Sequence, residues 1–242
     1  SKKEKAGYDA AVQQYGDMLG RCDAVITSTE HLKTELEKKK SEVIIHRNVL
    51  SKKLIHLSNK AISKKITDET IKIAYFSGSI THNENFEMIK PALIKILEKF
   101  KNVELHLAGH LDIPLDIEKF GNQIVVHPYV DWEELPDLIG QMDINLAPLK
   151  QTLFNEAKSE NKWVEASMVG VPTIASNIGA FAEEIEHGVD GILCANEKEW
   201  EKSKLENFIN VVGGYAFKSQ KYLSEGIPVL RIGNINAGYF KD

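Results

Sequence analysis

The sequence predicts an α/β fold in which a mostly parallel sheet is covered by helices on both faces. Three observations carry that prediction. From Ile71 onward, short runs rich in Ile, Val and Leu alternate with amphipathic segments, the loops between them are short, and no apolar run exceeds strand length. Such alternation builds βαβ units, and right-handed crossovers then bring the C-terminal ends of the strands to one rim. Composition agrees: 43% hydrophobic and 27% charged residues over 242 positions are ordinary for a globular chain that buries a core without disulfides.

Taken in order, Tyr8–Leu19 reads as a helix and Ala24–Thr27 as a strand. Ser28 and Thr29 offer capping oxygens to a polar helix, Glu30–Lys39, with Glu30 in its first turn. Val43–Ile45 is a short strand that exits through Arg47 and Asn48. Leu50–Glu69, with two Lys-Lys pairs and scattered Ser, reads as a linker or surface hairpin. Ile71–Phe76 is a strand and Ser77–Asn85 a polar loop. Phe86–Phe100 is a helix with Phe86, Ile89, Leu93 and Leu97 on one face and Pro91 near its first turns. Further strands follow at Val103–Ala108, Ile124–His127, Ile144–Ala147, Pro172–Ala175 and Gly191–Cys194. Helices are expected between them at Trp132–Met142, Lys158–Val169 and Phe181–His187. This is a Rossmann-like pattern. A nucleotide-type site at the strand exits follows from it, since ligands of open α/β sheets bind in that crevice.

Beyond Cys194 the texture changes to a possible helix at Glu197–Leu205 and then Gly-rich, β-patterned sequence. The expected organisation is therefore 1–69, 70–196 and 197–242. The first residue is Ser1, no signal-peptide pattern follows, and the sequence is expected to begin within a longer protein. The 30 Lys and Arg against 35 Asp and Glu leave a net −5, which excludes a chain-wide polyanion-binding field. Cys22 and Cys194 are the two cysteines; they exclude a disulfide framework, suit a cytoplasmic location, and read as core residues.

Several constellations could carry chemistry. In Ser77–Asn83, Gly78, Ser79, Thr81 and Asn83 put small and hydroxyl-bearing residues between a strand and a helix. The loop could hold a phosphate on backbone N–H groups and hydroxyls, or be an ordinary turn with Gly at positive φ and a polar cap; spacing leaves both open. Lys158, Lys162 and Glu165 stand at i, i+4 and i+7, one face of one helix. They suit a diphosphate and a ribose, but spacing alone favours a solvated charged face. His106 and His110 straddle a strand and its exit, and no Cys or carboxylate completes a metal set. No metal and no cofactor are expected.

Glu165–Ser176, with Gly179-Ala180, Glu183, Ile185, Gly188 and Gly191-Ile192-Leu193, resembles the C-terminal half of family-4 glycosyltransferases of the GT-B fold. Tyr129–Pro136, Gln141–Ile144 and Ala147-Pro148 resemble the segment that precedes it there, and Arg21–Ser28, Glu30–Leu32 and Asn48 the end of that family's N-terminal domain. The resemblance spans roughly residues 8–195. It implies metal-free transfer of a sugar from a nucleotide diphosphate sugar to an unknown acceptor, with retention of configuration. Glu165 matches the second Glu of the family's Glu-x7-Glu motif, expected on the donor ribose. The first falls at Ala157, with Glu156 one position away, so the contact to the sugar is not carried over. The resemblance also implies Lys158 and Lys162 for the diphosphate, Tyr129 and Val130 for the nucleobase and Gly179 in the donor site. The usual Arg-x4-Lys pair is replaced by Ser79–Asn85, but Gly78–Phe86 resembles the loop of divergent members, which favours the phosphate reading there.

Trp200–Lys241 resembles instead the opening of a target-recognition domain from type I restriction–modification specificity subunits, in Gly214–Ser219 and Gly226–Ile235 above all. Residues 200–242 carry six basic and four acidic side chains. That resemblance implies DNA as the partner under an alternative reading. Under the first reading the chain is an incomplete donor-binding fragment that lacks its acceptor half.

Overall fold

A computed structural model of the chain describes residues 2–66, 68–79, 82–201, 235–236 and 239–240. It opens on helix α1 (Lys2–Arg21) and a parallel pair of short strands, β1 (Val25–Thr27) and β2 (Val43–Ile45), joined by α2 (Glu30–Glu37). Thr29 caps α2, its hydroxyl oxygen accepting from the Leu32 N–H at 3.2 Å. Helix α3 (Lys52–Ile62) follows, then a parallel sheet: β3 (Ile71–Ser77), β4 (Val103–Gly109), β5 (Ile124–His127), β6 (Ile144–Ala147), β7 (Thr173–Ser176) and β8 (Ile192–Cys194). Its spatial order is β5-β4-β3-β6-β7-β8. The chain thus starts in the middle, winds outward through β4 and β5, returns beside β3, and winds outward the other way. Those two directions diverge between β3 and β6, the switch point at which such sheets bind ligands.

Connecting helices cover both faces, as the sequence predicts: α4 (Asn83–Lys99), α5 (Leu115–Glu118), α6 (Leu135–Gly140), α7 (Leu153–Glu156), α8 (Asn161–Met168) and α9 (Gly179–Glu184). Alternation along β3 explains the two cores. Ile73 and Tyr75 point to one face, where Phe86, Ile89, Leu93 and Leu97 of α4 meet them. Ala74 points to the other, where Ala61 of α3, Ile139 of α6 and Ala166 of α8 close over it. Strands β6 and β7 are buried along their whole length, as expected of central strands in a sheet covered on both sides.

Four expectations are corrected. Residues 52–62 form α3, not a linker or hairpin: Leu54, Ile55, Leu57, Ser58, Ala61 and Ile62 recur at helical spacing, Ser51 caps the first turn, and the helix packs against α6. Pro91 lies well inside α4, because that helix starts at Asn83 rather than Phe86. Lys158 stands in the connection before α8, so it does not share one helix with Lys162 and Glu165; a turn at Ala157 ends the separate α7. Cys22 is exposed at the end of α1, its thiol donating to the Met18 carbonyl, whereas Cys194 is buried as expected.

Of the C-terminal segment, α10 (Glu197–Glu201) and a short antiparallel pair, β9 (Ile235–Asn236) and β10 (Tyr239–Phe240), are described. Trp200, grouped by sequence texture with that segment, is 2% exposed and packs into the core on which α4 sits. The rest of the specificity-subunit resemblance lies outside the described residues.

Candidate functional site

The exits of β3, β4 and β6 are tied together before any ligand-facing group is placed. The Ser77 hydroxyl lies 3.0 Å from the Ser79 carbonyl and against that of His110, while the His110 N–H donates to the Ser77 carbonyl at 3.0 Å. Gly109 turns at φ +88°, and a Cβ there would stand 2.1 Å from the Ser77 oxygen, so this close crossing requires glycine. On the other side, buried Asn85 accepts from the Lys150 N–H at 2.9 Å and from Asn155 Nδ2 at 3.1 Å, and Asn155 donates to the Lys150 carbonyl at 2.8 Å. The Ser176 oxygen accepts from the Leu149 N–H at 2.8 Å. Buried polar groups paired this fully make a rigid floor.

Above that floor stand cations that have no carboxylate in contact among the described residues. Lys162, on the first turn of α8, reaches the loop after β3: its Nζ is 3.1 Å from His82 Nδ1 and 4.9 Å from the centre of the Tyr75 ring. Burial lowers its pKa to about 7, with a further push from Lys158 that Glu165 opposes. His82 is held neutral, its pKa pushed down to about 3 by burial and by the two lysines. Lys158 Nζ is buried without a hydrogen-bond partner, 4.9 Å from the Phe154 ring centre, and burial lowers its pKa too. A site that desolvates positive charge without neutralising it is shaped for an anion.

The sequence-predicted residues separate into groups. Gly78 and Ser79 lie at this rim with Lys158 and Lys162; Gly78 is exposed, with open space where a Cβ would be, and does not need positive φ. Thr81 lies outside the described residues. Asn83 is committed sideways, donating to Asp112 Oδ2 at 2.6 Å and accepting from the Asp112 N–H at 3.2 Å. Tyr129, 64% exposed at the exit of β5, stacks on His110 with ring centres 5.4 Å apart, beside half-buried Val130. Glu165 is half-buried and lines a crevice of about 40 Å³ with Leu54, Trp132, Leu135, Pro136 and Ile139, toward α3 and α6. Burial raises its pKa, against the pull of Lys162. Gly179 turns at φ +50° against α7, where a Cβ would stand 2.5 Å from the Glu156 carbonyl. Glu156 itself pairs with His31 at 3.6 Å.

Sequence reasoning missed His82, Asn85 and Asn155. Their signal was slight: an imidazole and an amide just ahead of an apolar helix face, and an amide three residues after Thr152, whose hydroxyl caps α7. His106 is a core residue, 2.9 Å from His127 and 3.1 Å from Glu104, both imidazoles held down by burial. Among the described residues no group of three or more His, Cys, Asp or Glu side chains could hold a metal ion.

The family model for glycosyl transferases group 1 matches residues 71–207, from the first residue of β3 to just beyond α10. The chain belongs to the glycosyl transferases group 1 family. A relative of this group 1 chain, an uncharacterized glycosyltransferase of Methanocaldococcus jannaschii, is 28% identical over 127 residues, which cover 50% of this chain and 31% of that protein. HepE of Anabaena, solved in complex with UDP and glucose, superposes with a TM-score of 0.58 at 18% identity, over 78% of this chain and 53% of that one. Sucrose-phosphate synthase of Thermosynechococcus elongatus superposes with a TM-score of 0.60 at 14% identity, over 84% and 53%. These likenesses show the fold, that of GT-B glycosyltransferases. The group 1 chain spans about a third of the curated relative and about half of each solved structure. Among its described residues no helix is long and apolar enough to cross a membrane.

Proposed function

We propose that the chain is the donor-binding half of a glycosyltransferase of family 4, which takes a nucleotide diphosphate sugar at the switch point between β3 and β6. The observation that carries the reading is the pair Lys158 and Lys162, desolvated at the strand exits with no carboxylate among the described residues in contact. A diphosphate supplies the missing negative charge. The N-terminal end of α4 and the Gly78–Ser79 backbone face the same rim and favour an anion. Thr81 belongs to the same loop and is assigned the same role. Glu165 takes the ribose hydroxyls and the Tyr129–Val130 exit the base, which sets ribose and base on the α6 side of the phosphates. Gly179 and Asn83 are assigned to shaping the site, since one carries a close backbone crossing and the other a bond to Asp112. HepE of Anabaena, with UDP and glucose bound, is the relative by fold that makes a uridine diphosphate the first probe. Transfer needs no metal or cofactor in this reading, retains configuration, and takes place in the cytoplasm on an acceptor bound outside these residues.

Differential scanning fluorimetry of the whole chain tests it. UDP-glucose or GDP-mannose well above its dissociation constant is expected to raise the Tm by about 5 °C, the size expected when about 2 kcal/mol of binding is added to a chain of this length. Glu165→Ala is expected to remove the shift for the donor that gives it. No shift with any nucleotide sugar would refute the reading.

A further inference from the structure

His82 has no ligand-binding role in the donor site as assigned above, yet it touches both Lys162 and the tyrosine under it. Its N–H donates to the Ser79 carbonyl at 3.1 Å, its carbonyl accepts from the Tyr75 hydroxyl at 2.9 Å, and its Nδ1 faces Lys162 Nζ at 3.1 Å. Tyr75 is fully buried and packed against Phe86, with ring centres 5.2 Å apart, so the imidazole hangs from the floor of the core rather than from a free loop. The same Tyr75 ring lies under the lysine it helps to orient.

Among the described residues, the charged and titratable groups that face Lys162 are few. The loop after β3 supplies His82, β3 supplies the phenol of Tyr75, the connection before α8 supplies Lys158, and α8 itself supplies Glu165. None places a carboxylate in salt-bridge contact with Nζ. Among them only the His82 ring nitrogen and the Tyr75 ring face offer electron density directly to the amine, and both are neutral acceptors.

We propose that His82 is a positioning residue: its neutral ring holds the Lys162 side chain at the rim, and capture of the donor's diphosphate there is coupled to protonation of Lys162. The inference rests on the donor-binding reading above. In the free chain the lysine amine is desolvated beside a second cation, and near neutral pH it exchanges between amine and ammonium. A bound diphosphate restores the missing negative charge and keeps the ammonium, and the proton comes from the buffer. The neutral imidazole is what allows this. A protonated His82 would repel the ammonium, and an apolar residue would leave it without an acceptor.

Calorimetry of UDP-glucose binding to the whole chain, in Tris and in HEPES at pH 8, reads the coupling directly, because this ligand carries no group that titrates near neutrality. Uptake approaching one proton per donor is expected. The affinity is expected to fall about tenfold from pH 8 to pH 9, the slope of a single coupled proton. Substitution His82→Leu, which keeps the bulk and removes the acceptor, is expected to weaken binding at pH 8 about tenfold, the scale of one hydrogen bond to a charged group. His82→Gln, which keeps a neutral acceptor, is expected to restore most of it. Binding by the unsubstituted chain without proton uptake or pH dependence overturns the coupling whatever the variants do. Binding by His82→Leu equal to that of the unsubstituted chain overturns the positioning role. No binding of any nucleotide sugar by the unsubstituted chain overturns the donor reading first and this inference with it; where a donor other than UDP-glucose binds, the same measurements are made with that donor.

Discussion

Arg47 and Lys162 are both partly buried cations close to the turn that joins α7 to α8, and they are treated in opposite ways. Arg47 leaves β2 and crosses to α9, where its Nη2 meets Glu183 at 3.0 Å and Glu184 at 3.1 Å. Its neighbour Asn48 adds bonds to Ser159 at 2.9 Å and Asn161 at 3.0 Å. Among the described residues, Lys162 Nζ meets only a neutral imidazole and an aromatic face, with a second lysine nearby. Arg47 Nη1 is buried without a hydrogen-bond partner, but the two carboxylates on Nη2 neutralise the charge and tie two parts of the chain together. An unpaired charge raises the energy of the empty site, and that cost is recovered when an anion arrives. The first pattern belongs to assembly of the fold, and the second is the one on which the proposed donor site rests.

Removing the unpaired charge tests that contrast most strongly. Lys162→Met is expected to weaken UDP-glucose binding by about a hundredfold, the scale of two hydrogen bonds or one strong contact to a charged group. It is also expected to raise stability, and the sign follows from linkage. The folded pKa is about 7 and the unfolded one about 10.4, so the unfolded chain binds more protons between those values and stability rises with pH across that window. The variant lacks this group. Its advantage in Tm is therefore greatest below pH 7 and vanishes above about pH 10, and thermal melts across that range would show it. A Tm lowered at pH 6 would mean that Lys162 has a partner after all.

Gly109→Ala strikes the floor under the cationic side. Positive φ and a backbone contact at 2.1 Å predict a loss of about 2 kcal/mol or more, with donor binding reduced along with it. Urea unfolding measures this, and an unchanged midpoint would show that the crossing of β3 and β4 relaxes freely. Arg47→Met, on the paired side, is expected to cost about 1 kcal/mol of stability, since its partners are about a third exposed. It is expected to leave the affinity for UDP-glucose within about twofold, because the residue takes no part in the proposed site. A large loss of affinity there would erase the distinction between tie and receptor. The smallest effect belongs to salt. Raising NaCl to about 0.5 M is expected to weaken donor binding several-fold, and to lower the Tm of the empty chain by no more than a degree or two, because exposed pairs are screened and contribute little.

Much of the fold was legible because burial on both faces writes itself into short apolar runs. Ile71–Phe76, Val103–Ala108, Ile124–His127 and Ile144–Ala147 come within a residue of β3 to β6. Residues 50–69 were misread because their lysines mask an amphipathic face that only α6 gives a reason to form. The helix expected at Lys158–Val169 is longer at its start than α8, because Lys158, Ser159 and Glu160 form the polar connection between α7 and α8 and nothing in their spacing marks a break. At the candidate site, Gly78, Ser79, Lys158 and Lys162 could be named from loop position and resemblance. His82, Asn85 and Asn155 could not, because a single polar residue beside an apolar run carries no spacing signal of its own.

By itself the sequence determined the alternation of strands and helices, the rim at which the donor site is proposed and the glycosyltransferase character of the chain, because hydrophobic period and short-range motif are local properties. Only the tertiary structure decided that two lysines four positions apart lie on different elements and that one of them leans on His82 from eighty residues away. It also decided that Arg47 is neutralised while Lys162 is not. Charge compensation depends on which side chains share a desolvated space, and that is set by how strands β3 and β6 come to lie side by side.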